Sequence, residues 1–542
     1  MAEKSKTIAP EAKTSPSVEE FINVLQNQLA QERRKESGKD ESGKEAVFRP
    51  DESEAGESMA RFYEKVRNLI EYKDDHLIKR TAIERIIKRN LLIELRQQDF
   101  TDQFLEELTM TGYIDREEIG EGMKKKIKSV LAKYQWVIRN TGGYDLKKWL
   151  VAVSSCEIEE VVFPNKLRYV LVKTMYETIC ERIEIQEGEI KESEKEVQIF
   201  LAVLKALAKS DMAWLYFSLL KIYMPEWFEE KWSQEKLKRM VREMPRLKER
   251  IRSKISSPVS AKIGIALRKY AVYFNMLYET ALANPSKIKD ILKNPESLKF
   301  AVQMKVDDVY SQEMKKFRKR VRRSLIFLII TKIALAAVVE YPFDLYFTGT
   351  VNMLPIAINL LFPPLYLLLL SSTVRRPSEH NSVLIARGTA EVVYEMKEEP
   401  IAIVKLNDIE TFSDKALYTF FVLTYAISFG LAIWLLKLLS FNWLGIIIFL
   451  FLFSVVSFFN ALVRQPIREL LVAREREGTL GMIIDTFSLP FVRIGKWMSV
   501  NFSRVNVFIF LFDVIIEAPF KVIVRFVRLW AGFIRRKKEE TI

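Results

Sequence analysis

The sequence predicts an all-α integral membrane protein with a large N-terminal cytoplasmic helical domain, four transmembrane helices in two hairpins, and a C-terminal amphipathic interfacial helix. Three observations lead there. Up to about residue 320 apolar residues recur at steps of three and four within a charged background, which is the helical period. Beyond it, four apolar runs approach or exceed the roughly 20 residues that a helix needs to cross a hydrocarbon core. Lys and Arg gather at one end of each run and are nearly missing from the other. A mean hydropathy of +0.00 with 49% apolar residues fits such a division into water-facing and lipid-facing halves.

The N-terminal 58 residues read as mostly disordered, because 36 to 58 are polar and almost free of large apolar side chains. An amphipathic helix is expected near 17–35. Ser17 and Glu20 have capping-box spacing, and Val18, Phe21, Ile22, Leu25 and Leu29 share one face. A lone helix of this length is marginal in water, so it is either a docking helix, for a partner or for the rest of this chain, or a transient one.

Residues 59–320 form the cytoplasmic helical domain or domains. Phe62, Val66, Leu69 and Ile70 open the pattern, and Val197, Phe200, Leu201, Leu204 and Leu207 give a later stripe. Asp115 and Glu118 suggest the start of a helix over 116–139, with Gly142 and Gly143 after its end; Pro164, Pro225, Pro245, Pro258, Pro285 and Pro295 are expected to break the rest. The start of the chain, MAEKSKTIAP, lacks the apolar core of a signal peptide, and the two cysteines, Cys156 and Cys180, form no CxxC. A reduced, cytoplasmic setting is the expectation.

Hairpin one occupies 321–373, with spans at 324–342 and 345–372. Hairpin two occupies 416–463, with spans at 416–439 and 443–463. The cluster Lys315, Lys316, Arg318, Lys319, Arg320, Arg322 and Arg323 precedes span one, Arg375 and Arg376 follow span two, Lys415 precedes span three, and Arg464 and Arg468 follow span four. The opposite turns, EYPFD and SFN, contain neither Lys nor Arg, so both termini and the 374–415 loop belong in the cytoplasm and the location is the inner (cytoplasmic) membrane. That loop offers a strand in PIAIVKL and a helix or strand in VLIARGTAEVVYEM.

Residues 464–542 complete the chain as cytoplasmic and interfacial helices. Asp513, Glu517, Lys521 and Arg525 stand four apart, Arg528 continues the stripe, and Phe, Val, Ile and Trp occupy the opposite surface. A fifth span would place RRKK outside and four charges in lipid, so an in-plane interfacial helix is favoured over a stripe facing a pore. The piece before it mixes aromatics with Arg493, Lys496 and Arg504 and is expected to wrap the cytoplasmic face of the spans.

Catalytic motifs are poor. GKDESGKE at 38–45 matches G-x-x-x-x-G-K but has Glu45 where magnesium needs Ser or Thr, and no strand precedes it. His76 and His380 lie far apart without metal-ligand spacing, and neither a nucleophile elbow nor a dinucleotide fingerprint occurs. No cofactor is expected. The formal charge of +14 is explained by the membrane-flanking clusters, which anionic lipid head groups attract; nucleic acid is disfavoured, since no stacking aromatics accompany them.

The intramembrane polar residues are the better candidates. Lys332 lies deep in span one and requires a partner, for which Glu340 and Asp344 stand nearer the outer end. Asn352 and Asn359 share a face of span two, which Pro355, Pro363 and Pro364 interrupt. Such groups either hold helices together or line a path. The expected function is therefore a membrane-anchored helical scaffold that recruits an unidentified cytoplasmic protein partner. The alternatives are a subunit of a homo-oligomeric transporter or channel using those polar residues, and, last, a membrane-embedded enzyme.

Overall fold

The computed structural model describes residues 14–41, 75–93, 99–186, 192–229, 232–348, 352–394, 402–405, 412–473 and 479–504. The helix start expected at 59–70 and the stripe from Asp513 to Arg528 lie outside them. The chain is α-helical, and its described residues divide into two compact units, each gathered from separate stretches.

One unit takes residues 23–41, 75–181 and 192–267. It holds most of α1 (Pro16–Glu41), α2 (Asp75–Lys88), α3 (Thr101–Met110), α4 (Glu121–Asn140), α5 (Tyr144–Val162), α6 (Lys166–Cys180), α7 (Glu192–Ala206), α8 (Met212–Tyr223), α9 (Gln234–Ser256) and the start of α10 (Pro258–Ala283). The hub is α5, whose Leu150, Val153, Cys156 and Ile158 are fully buried, and α2, α4 and α8 pack around it. A helix apolar on most sides needs such surroundings. Side-chain caps fix several starts: Asn165 accepts the Arg168 N–H, Asp211 that of Trp214, and Ser233 that of Lys236.

Three expectations shift here. α1 runs on to Glu41, through residues expected to be disordered, because QERRKE is rich in helix formers and propagating a helix costs less than starting one. Residues Arg116–Glu118 form a separate 3₁₀ turn, and α4 begins only at Glu121, after an extended Gly120. Pro245 does not end a helix; it sits inside α9 on the exposed face, where water can satisfy the carbonyl it frees.

The other unit takes residues 14–22, 182–186 and 268–504. The front of α1 docks on this chain: Ser15 N–H donates to the Val393 carbonyl at 2.9 Å, and the Phe21 ring lies 6.3 Å from that of Tyr278. Short strand β1 (Ile183–Gln186) pairs in parallel with β2 (Ala402–Lys405), Ile183 opposite Ala402, so the AIVK part of PIAIVKL is a strand, as its β-branched Ile403 and Val404 suggest. After α11 (Ile288–Leu292) comes α12 (Pro295–Leu335), then π segments at Ala336–Glu340 and Asp344–Thr348 around a single α turn. The expected EYPFD turn is thus helical. Pro342 cannot donate to the α ladder, and a π segment directly before it absorbs the disruption.

Next follow α13 (Met353–Ser372), α14 (Glu379–Val393), α15 (Phe412–Leu438), α16 (Trp443–Glu469) and α17 (Thr479–Arg504). Among the described residues, four helices are long and apolar enough to cross a membrane: the end of the run Pro295–Tyr346, then Met353–Ser372, Thr419–Leu438 and Trp443–Glu469. Between 17 and 33% of their apolar windows is buried by protein, so most of this surface needs an apolar surrounding.

The turn from α15 to α16 is tightly specified. Ser440 takes a positive φ of 63°, the Phe441 N–H returns to the Leu436 carbonyl, and buried Phe441 packs in one cluster with Leu436, Ile446 and Phe449. That is a Schellman closure with its apolar contact. α17 lies along the middle of α16: a Cβ on Gly495 would come within 2.1 Å of the Ser454 carbonyl oxygen, and the Phe491 ring meets Phe453 edge-on and Phe429 at a tilt.

Candidate functional site: a buried polar cluster between the apolar helices

In a uniform α-helix, a residue eight positions on falls about 80° round the axis from the first. The π segment Ala336–Glu340 takes in about one extra residue and removes that offset, which brings Glu340 beneath Lys332. Lys332 Nζ donates to Glu340 Oε1 at 2.9 Å, with the side chains only 1% and 6% exposed. Buried charges persist where they are paired, and this pair answers the requirement that Lys332 raised from sequence.

Asp344, also buried, accepts at Oδ1 from Asn442 Nδ2 at 2.5 Å. Asn442 is the N-cap of α16, its own Oδ1 accepting the Gly445 N–H at 2.6 Å. One asparagine thus ties the α15–α16 turn to the end of the first apolar helix. Asn359 on α13 completes the group; it is buried, and its Oδ1 lacks a hydrogen-bond partner. A cavity of about 20 Å³, room for one water molecule, lies among Glu340, Asp344, Asn359 and Asn442.

Asn352 is not part of this group. It caps α13, accepting the Leu354 N–H at 3.3 Å, and is exposed, so the first of the two asparagines belongs to a helix start. Pro355 falls in the first turn of α13, where a missing N–H costs little, and Pro363 and Pro364 lie inside the helix.

Further polar contacts join the same helices. Tyr366 and Ser457 share a hydroxyl hydrogen bond of 3.2 Å, and Arg464 donates to the Leu370 carbonyl and to Thr373 Oγ1. Phe362, Tyr366, Phe449 and Phe453 form a continuous ring cluster beside them. Chemically these groups can bind helix to helix; the two carboxyl groups and the ammonium of the cluster are engaged with protein partners.

The basic residues Lys315, Lys316, Arg318, Lys319, Arg320, Arg322 and Arg323 all lie on α12, in the turns that lead into its apolar end. Lys316 pairs with Glu313 at 2.8 Å.

Two buried networks gave no signal in the sequence. Asn381 of α14 is wholly buried and makes four hydrogen bonds: its Nδ2 donates to Tyr310 Oη and the Leu470 carbonyl, and its Oδ1 accepts from Val472 and Ala473 N–H. In the other unit, Lys133 Nζ donates to Glu157 Oε1 at 2.7 Å and to the Trp227 carbonyl at 2.9 Å, while Tyr134 Oη donates to Glu157 Oε2. Burial lowers the Lys133 ammonium pKa and raises that of the Tyr134 hydroxyl. Long-range pairs of this sort leave no local spacing to read. Among the described residues, no group of three or more His, Cys, Asp and Glu side chains gathers to hold a metal ion, and Cys156 and Cys180 are free thiols.

Among the described residues, fold and site define an α-helical protein with four membrane-length helices, of which the first, second and fourth are linked by polar contacts. Comparison with protein-family models, curated proteins and solved structures finds no match.

Proposed function

We propose that this chain is a multi-pass membrane anchor whose helical cytoplasmic part recruits a protein partner to the bilayer. The observation that carries this reading is the closed Lys332–Glu340 pair with Asp344 on Asn442. Polar side chains bonded to each other, beside a cavity for one water, suit interhelical adhesion better than a solute path. The transporter reading, which needs a path and a homo-oligomer to build it, is correspondingly weaker.

In this reading the four apolar helices are two hairpins. The basic cluster of α12, Arg375, Arg376, Arg464 and Arg468 lie on the cytoplasmic side of an inner membrane, and Asn442 and Asp344 lie near the outer side. Residues 508–530 lie in the cytoplasmic interface, with Asp513, Glu517, Lys521, Arg525 and Arg528 toward water.

The test is site-specific photo-crosslinking in native membranes. Tyr144 and Tyr169, 66% and 67% exposed on the helical unit, are replaced in turn by a photoreactive phenylalanine. The proposal expects one discrete protein adduct, retained after a high-salt wash. Adducts to lipid alone, or a smear of abundant proteins, contradict it.

A further inference from the structure

We propose that the groove between α12 and α13, at their basic end, seats one anionic glycerophospholipid: Arg318 and Arg322 hold the phosphate and an acyl chain runs over Leu325 and Leu368. The groove has a volume of about 390 Å³, within the range of small-molecule clefts. Its floor is closed by apolar packing, Phe317 and Val321 of α12 against Val463 and Ile467 of α16.

The two arginines are four residues apart and therefore project from one face of α12, roughly 6 Å apart at Cβ. Both are exposed, and among the described residues neither takes part in an ion pair. Guanidinium groups match phosphate in bidentate geometry. Ser371 and Ser372 stand on the facing wall, but their hydroxyls donate to the Leu367 and Leu369 carbonyls, so the arginines are the donors left for a ligand.

Polarity changes along the groove in the order a lipid requires. Along α12 the lining runs from Arg318 through Arg322 to Leu325, along α13 it runs from Ser372 and Ser371 back to Leu368, and the exposed stripe continues on α13 through Leu365 and Leu361, 61% and 58% exposed. A free phosphate has no use for that stripe. The lining contains no carboxylate to receive a choline or ethanolamine ammonium, and the neighbouring Lys315, Lys319, Arg320 and Arg323 add positive field, so the head group is anionic.

The inference rests on the membrane reading above, and its test separates the two. The full chain in a neutral maltoside detergent is examined by native mass spectrometry with added phosphatidylglycerol or phosphatidylcholine. One saturable phosphatidylglycerol adduct is expected, surviving collision energies that strip phosphatidylcholine. Arg318→Gln with Arg322→Gln weakens it at least tenfold. Leu368→Trp, which fills the groove and leaves every charge in place, weakens it comparably, with melting temperatures recorded to confirm folding. Equal retention of the two lipids overturns the seat, as does a Leu368→Trp protein that binds like the wild type, or displacement of the adduct by millimolar inorganic phosphate. Extraction of the chain from membranes by alkaline carbonate overturns the membrane reading itself.

Discussion

Lys332 and Glu340 form a 2.9 Å ion pair on one helix, and a π segment between them sets the alignment that lets them meet. With 1% and 6% of their side chains exposed, removal of either partner leaves the other buried without its counter-charge. Lys332→Leu or Glu340→Leu alone should destabilise by about 3–5 kcal/mol, whereas the double replacement should come within about 1–2 kcal/mol of the wild type. Thermal unfolding of the four proteins of this cycle in detergent gives the coupling. Additive losses would show that the two charges do not stabilise each other.

Asn442 serves two elements at once, and its loss is felt by both. Asn442→Ala removes the cap of α16 and leaves the buried Asp344 carboxylate without that donor, an expected cost of about 2–4 kcal/mol. Ser440→Gly, two residues earlier, should stabilise by about 1 kcal/mol by relieving the left-handed backbone at φ 63°. Opposite signs at neighbouring positions make a sharp check on the turn geometry by urea titration.

Asn381 satisfies the chain end of α16 without itself being near the cluster. Asn381→Ala deprives the Val472 and Ala473 N–H groups of their acceptor and Tyr310 and the Leu470 carbonyl of their donor. A loss on the order of 3 kcal/mol is expected, together with faster amide exchange at 470–473. Unchanged exchange there would contradict the assigned contacts.

Glu159 gives the other unit a pH dependence. Burial pushes its carboxyl up to about 7, against the opposing Arg80 charge and the Trp214 indole N–H that donates to it at 3.1 Å. The folded form therefore holds its proton where the unfolded chain, near 4.5, has released it. Stability from this group is full below the unfolded pKa and is lost as pH rises through the folded one, a change of about 1–2 kcal/mol between pH 5 and 8 after solvent screening. Asp99, lowered to about 2 by its bonds to Thr101 and Lys128, acts in the opposite sense only below the ordinary carboxylate range. Glu159→Gln should flatten the slope between pH 5 and 8; an unaltered slope would assign it elsewhere.

What the sequence revealed and what it hid follow from the range of each interaction. The four long apolar helices are legible as unbroken apolar runs, and the buried side of α1 as Val18, Phe21, Ile22 and Leu25. The need of Lys332 for a partner was readable because an ammonium in an apolar run is costly wherever it points. Its alignment with Glu340 was not, since it depends on a π segment before Pro342 that helical periodicity treats as regular. Asn352 was misgrouped with Asn359 because seven-residue spacing implies a shared face only when the helix has already begun. Asn442 looked like a turn residue without charge, and its bond to Asp344 spans 98 positions.

The claim that the polar cluster joins helices and does not conduct is tested most directly by ion and proton flux in proteoliposomes, comparing the wild type with Lys332→Leu/Glu340→Leu. Equal flux at the level of protein-free vesicles, with both proteins folded, is the expected result. A wild-type flux well above that level, abolished by the double replacement, would contradict it.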